Sequence, residues 1–180
     1  LSLSENDIIH ISANLSRSSG YYHLGGLEGV YASLRGGVVY TDNMGGRIIT
    51  WFNQVPDNTV LIGFKKYQEI NILETLKEIR KFSELFKKVF DVGQKGGHLK
   101  AITLNGLLYS ILTNMDYDTL VEALTRGAVA AGVAGVGPGI VLITKHEDVG
   151  MFKDMLRDRG YNVIETRPTN RECRYKIIEE

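Results

Sequence analysis

The stretch IVLITKHEDVGMFKDMLRDRGYNVIE, residues 140–165, holds two short strand-forming runs with a helix-forming run between them. Ile140 to Thr144 reads as a strand, Asp148 to Arg159 as a helix, and Tyr161 to Glu165 as a second strand. Val149, Phe152 and Leu156 recur at helical spacing and supply a buried face, and Gly160 fits the left-handed position that ends a helix. A strand-helix-strand unit of this kind belongs to a layer of helices packed on a sheet.

Upstream, the pattern extends the same architecture. Gly127 to Gly139 reads as a glycine and alanine loop. Leu99 to Thr113 and Tyr117 to Arg126 read as helices separated by Asn114-Met115-Asp116. From 71 to 90 the apolar positions Ile72, Leu76, Ile79, Phe82, Leu85, Phe86 and Val89 recur every three or four residues among Lys and Glu, which predicts one amphipathic helix with a solvated face. Thr59 to Phe64 is a strand, and Gly37 to Asp42 with Arg47 to Phe52 form a hairpin across Asn43-Met44-Gly45-Gly46. Three strands in succession predict one antiparallel sheet. Residues 5 to 17 read as a helix behind the polar cap Ser4-Glu5-Asn6-Asp7. Val30 to Leu34 form a short helix between glycine groups, and Arg174 to Ile178 a closing strand. The fold class is α+β, with a ferredoxin-like antiparallel sheet and helices packed on it.

The composition excludes several function classes. Hydrophobic residues make up 43% and charged residues 23%, as in ordinary folded domains. Lys plus Arg and Asp plus Glu number 21 each, so the broad positive field of a nucleic-acid binder is missing and a small-molecule ligand is expected. The single Cys173 has no partner for an intramolecular disulfide, which points to a reducing compartment and a cytoplasmic protein. No apolar run approaches the roughly 20 residues that span a bilayer. The chain opens Leu1-Ser2-Leu3-Ser4 with no initiating methionine, so a fragment or a processed chain is expected.

The run from Arg126 to Gly139 admits two readings. Successive backbone N–H groups among its glycines can cradle a phosphate, or its small residues permit a tight connection from helix to strand. Spacing alone favours the packing reading, because the run follows no strand and lacks the lysine of a P-loop.

The order of several segments resembles one family. Gly26 to Asn43, with its Gly36-Gly37 turn and Thr41-Asp42-Asn43, is similar to the archaeal shikimate kinase segment around Gly-Ala-Tyr-Asp-Asp-Ala. Leu104-Asn105-Gly106-Leu107-Leu108-Tyr109 resembles a leucine-asparagine-glycine helix segment of that family, and Ala131 to Pro138 its third motif, Ala-Gly-Leu-Ser-Gly-Thr-Gly-Pro. Arg167-Pro168-Thr169-Asn170 resembles its terminal Lys-Pro-Asn-Asn sequence. The resemblance implies the C-terminal lobe of a GHMP-superfamily kinase. Residues 1–52 would be the end of its central region and residues 53–180 its C-terminal domain. It implies ATP and Mg²⁺ as cofactors, shikimate as the acceptor, and an N-terminal kinase half as the missing partner. The oligomeric state stays open. The family's Pro-x-x-x-Gly-Leu-Ser-Ser-Ser loop has no equivalent in the sequence.

Carried over residue by residue, the resemblance implies that Gly132, Gly135 and Gly137 face the phosphate loop. It places the family's acidic residue on Gly29 and the preceding acidic position on Glu28, which becomes the candidate base for a substrate hydroxyl. The motif's hydroxyl residues fall on Ala134 and Val136. Arg35, beside the Gly36-Gly37 turn, is a candidate for holding a substrate carboxylate in bidentate fashion, or else a surface arginine. Asp42 is a candidate for a substrate hydroxyl, or else a turn former. His10, His23, His98 and His146 show no metal-ligand spacing. A non-catalytic binding domain that kept the fold is the alternative to a kinase.

Overall fold

A computed structural model describes residues 3–18, 26–65, 72–135 and 137–173. The strand expected from Arg174 to Ile178, His23 and Val136 lie outside the described residues. The chain divides into two compact units, Leu1–Pro56 with Pro168–Glu180, and Asp57–Arg167.

The first unit begins with α1, Glu5–Ser18. Ser4 and Asp7 cap it reciprocally: the Ser4 amide and hydroxyl donate to Asp7 Oδ2 at 2.9 and 2.6 Å, and the Asp7 amide donates to Ser4 Oγ at 3.2 Å. Helix α2, Leu27–Arg35, is followed by the hairpin of β1, Val38–Asp42, and β2, Arg47–Phe52. A register shift between Tyr40 and Thr41 leaves Ile49 as the extra residue of a bulge. Ile9, Ala13 and Leu27 form the core here, with Val30, Tyr31, Leu34 and Ile48 packed against them.

The second unit is built on a four-stranded antiparallel sheet of order β4-β5-β3-β6. Strand β3 is Thr59–Phe64, β4 Ala130–Val133, β5 Ile140–Thr144 and β6 Asn162–Thr166. Between β3 and β4 come α3, Ile72–Lys81; α4, Ser83–Gln94; α5, His98–Thr113; and α6, Tyr117–Thr125. Between β5 and β6 lie a short 3₁₀ turn, His146–Asp148, and α7, Val149–Asp158. Strand, helices, two hairpin-linked strands, helix, strand in that sheet order is the ferredoxin-like arrangement, with four helices among the described residues of its first crossover. Leu61, Leu120, Ala131, Ile140, Leu142, Phe152 and Leu156 form its core.

Three local readings change. The hairpin and β3 belong to different sheets, so the three successive strands do not form one. The expected helix over 71–90 is two helices: at Phe82, φ −113° and ψ 20°, the chain leaves helical geometry, and the Leu85 and Phe86 amides restart the ladder on the Phe82 carbonyl. The expected loop of 127–139 contains β4, an edge strand whose Ala130, Ala131 and Gly132 are buried.

Candidate functional site

Helix α2 carries two of the candidate side chains. Glu28 stands in its first turn, where a negative charge is favoured by the helix dipole. Its Oε2 accepts from Asn43 Nδ2 at 2.9 Å and lies 3.4 Å from Thr41 Oγ1, whose hydroxyl is also 3.3 Å from Asn43 Oδ1. Thr41 and Asn43 come just after the bulge, at the end of β1. The carboxylate is therefore half-buried and oriented by two neutral groups, with no cation among these partners.

Gly29 occupies the next position on the helix, roughly 100° around its axis from Glu28. It lines a groove of about 390 Å³ between α1 and α2, together with Ile8, Ser12, Ser16, Gly26, Val30, Ser33 and Leu34. A Cβ added at Gly29 meets nothing within 4 Å. An acidic side chain there would enter the groove, whereas Glu28 is held toward Thr41 and Asn43, so the two positions are not interchangeable.

Arg35 ends the same helix. Its Nη2 donates to Glu5 Oε2 at 2.5 Å and its Nη1 to Glu172 Oε1 at 2.9 Å. The Glu172 hydrogen bond raises its already high pKa. The residues that supply Glu172 form a strap across the Gly36-Gly37 turn: the Gly37 amide donates to Thr169 O at 2.9 Å, and the Cys173 amide to Leu34 O at 2.8 Å. At Gly36, φ is 66° and ψ −169°, and an added Cβ would lie 2.7 Å from the Asn170 carbonyl carbon.

Asp42 acts within its own turn. Oδ1 accepts from the Gly45 amide at 2.8 Å and Oδ2 from Arg47 Nε at 3.1 Å. The Gly45 amide first, and then Arg47, hold its carboxyl below the usual range. Both oxygens are engaged in closing the hairpin.

The third glycine-rich segment lies in the second unit. Gly132 is buried in β4 against Gly106 of α5, so its small size serves close backbone packing at this point. Gly135 and Gly137 lie in the turn from β4 to β5, which the Ala134 amide closes on Gly139 O at 2.8 Å and the Gly137 amide on Ala134 O at 3.0 Å. The Met115 side chain packs where a Cβ on Gly137 would stand.

One polar cluster has no local sequence signature. Asp116 caps α6 and receives the Thr119 hydroxyl at 2.7 Å and amide at 3.2 Å on Oδ1, and Lys65 Nζ at 2.9 Å and Tyr161 OH at 2.7 Å on Oδ2. Burial raises its pKa, but Lys65, Thr119 and Tyr161 outweigh it and hold the carboxyl well below the ordinary range. Burial and the bond to Asp116 push the Tyr161 phenol up. Lys65 Nζ also stands 4.2 Å over the Tyr161 ring. The sequence reading placed Asp116 only between two helices, and Lys65 and Tyr161 are distant from it in sequence.

His146 bridges Thr59 Oγ1, 2.7 Å from Nδ1, and Asp57 Oδ1, 3.2 Å from Nε2, and Thr59 is buried. His10 is exposed on α1, and burial lowers the pKa of His98 at the start of α5. Among the described residues, no three His, Cys, Asp or Glu side chains are grouped to hold a metal ion, and no helix is long and apolar enough to cross a membrane.

No family model matches the sequence. The shikimate kinase of Methanobrevibacter smithii is 27% identical over 173 residues, 96% of this chain and 60% of that protein. That of Methanothermobacter thermautotrophicus is 30% identical over 142 residues, 79% of this chain and 48% of that protein. The chain thus spans about half to 60% of the length of these relatives. The Methanococcus jannaschii mevalonate kinase structure superposes with a TM-score of 0.71 at 16% identity, covering 94% of this chain and 58% of that one. The chain has the fold of the GHMP kinases and is similar in sequence to the archaeal shikimate kinases.

Proposed function

We propose that this chain is the C-terminal part of an ATP-dependent kinase that transfers the γ-phosphoryl group to a hydroxyl of shikimate, giving shikimate 3-phosphate. Residues 1–52 end its central region and residues 53–180 form its C-terminal domain. It works in the cytoplasm, joined to an N-terminal half that carries the phosphate loop. The observation that carries the reading is the similarity to archaeal shikimate kinases over 96% of the chain.

In this reading Glu28 accepts the proton of the attacking hydroxyl, with Asn43 and Thr41 orienting its carboxylate. Within the first unit Arg35 faces the substrate carboxylate and Asp42 braces the hairpin; within the second, Gly132, Gly135 and Gly137 face the phosphate loop of the N-terminal half. The described residues build no protein-only metal site. ATP phosphates would supply most ligands of a Mg²⁺ ion, whose charge would ease phosphoryl transfer.

Gly29 favours a second reading, a ligand-binding domain without turnover, because the groove it lines receives no acid from α2. A coupled assay separates the two. The chain joined to an N-terminal kinase half should release ADP in proportion to shikimate, and Glu28→Gln should lower that rate about 10²- to 10⁴-fold. Calorimetric binding of shikimate with no ADP release would leave the binding domain.

A further inference from the structure

We infer that Glu172 occupies the carboxylate place on Arg35 until a hydroxy-acid substrate displaces it, so that the C-terminal strap is an internal competitor of the substrate. The inference rests on the kinase reading and adds the regulation of its site.

Arg35 is one guanidinium between two carboxylates, so the cluster with Glu5 and Glu172 carries one excess negative charge. The two partners differ. Glu5 is anchored in α1 and its side chain is 30% exposed, whereas Glu172 is 63% exposed at the end of a strap held by the backbone bonds of Gly37 to Thr169 and Cys173 to Leu34. Exposed ion pairs of the second kind are screened by water and salt and exchange readily. The guanidinium fork has five N–H donors, so a free carboxylate can take the Glu172 edge while Glu5 keeps the group in place. Exchange of one carboxylate for another leaves the charge of the cluster unchanged.

The position of Arg35 selects the ligand. It lies seven residues after Glu28 on α2, two turns less about 20°, so both project from one side of the helix about 10.5 Å apart along its axis. A molecule with a carboxylate at one end and a hydroxyl at the other that bridges this span meets Arg35 and Glu28 together.

Titration calorimetry of shikimate against the full chain tests this. Glu172→Gln should bind about two- to fivefold more tightly than the parent, the range expected on losing an exposed competing pair. Arg35→Met should bind at least tenfold more weakly, and Arg35→Lys, which keeps the charge without the fork, should fall between. Shikimate should also speed exchange of the Cys173 amide in the parent but not in Arg35→Met, with circular dichroism confirming that each variant is folded. Unchanged affinity in Glu172→Gln, parent-like affinity in Arg35→Met, or no binding to any chain overturns the inference. ADP release by the joined kinase decides the kinase reading separately, since turnover can survive without competition from Glu172.

Discussion

Gly106 and Gly132 meet backbone to backbone where α5 crosses β4. A Cβ built on Gly106 would fall on the Gly132 Cα and lie 3.0 Å from the Ala131 carbonyl. In an open helix, Gly→Ala adds about 1 kcal/mol of stability. Here steric overlap reverses the sign: Gly106→Ala should destabilise the second unit by about 1–3 kcal/mol, read as a lower urea midpoint at unchanged slope.

Asp116 should make stability acid-sensitive. Its folded pKa is depressed, so its contribution is present above the unfolded value of about 3.9 and is lost as pH falls through the lower folded value. Asp116→Asn should lower stability at pH 7 by about 1–2 kcal/mol and flatten the acid limb of an unfolding-against-pH curve. Tyr161 has the opposite window. Its raised pKa favours the folded state while the phenol is neutral, so stability should fall as pH rises above about 10, and Tyr161→Phe should make that alkaline limb shallower, leaving the parts of Tyr40 and Tyr109, which burial also raises. Equal pH profiles for parent and variants would show that the cluster does not couple to folding.

Gly36 sits in a backbone region that is nearly exclusive to glycine, directly beneath Thr169 and Asn170. Gly36→Ala should cost about 1–3 kcal/mol and loosen the strap. Hydrogen exchange should quicken at the Gly37 and Cys173 amides, which donate to the strap and to α2, and stay unchanged in β3 and β5.

Gly29→Asp has open space and enters the first turn of α2, where a carboxylate suits the helix dipole. Stability should change by less than about 1 kcal/mol. Under the kinase reading, shikimate-dependent ADP release by the joined enzyme should rise. A well-folded variant with no gain would mean that the groove does not receive the acceptor hydroxyl.

The sequence revealed elements whose side chains follow one local rule. Thr59 to Phe64 and Ile140 to Thr144 were recognisable because compact β-rich runs sit between turn residues, and Gly160 marked the end of α7. Ala130 to Gly132 were not, since their small size answers the close approach of α5 rather than any strand preference. The break at Phe82 carries neither glycine nor proline, and apolar spacing runs straight through it. Among the candidate site residues, Glu28 was singled out through its place before the Gly36-Gly37 turn. Its partner Asn43 was visible as a turn residue and as the end of the Thr41-Asp42-Asn43 run, but not as a partner of Glu28, and the ties of Arg35 to Glu5 and Glu172 span 30 and 137 positions. Such long-range pairings depend on the topology, which local periodicity does not contain.

The return of Pro168 to Cys173 to the Gly36-Gly37 turn makes the first unit discontinuous, with the whole ferredoxin-like unit inserted between its two pieces. During synthesis the inserted unit has all of its strands once Thr166 has emerged, while the unit begun first still lacks its clasp. The earlier-made piece is thus the later one to be completed, and closing it requires contacts across more than 130 residues of chain. The unit whose synthesis begins first is the one whose last piece is made last.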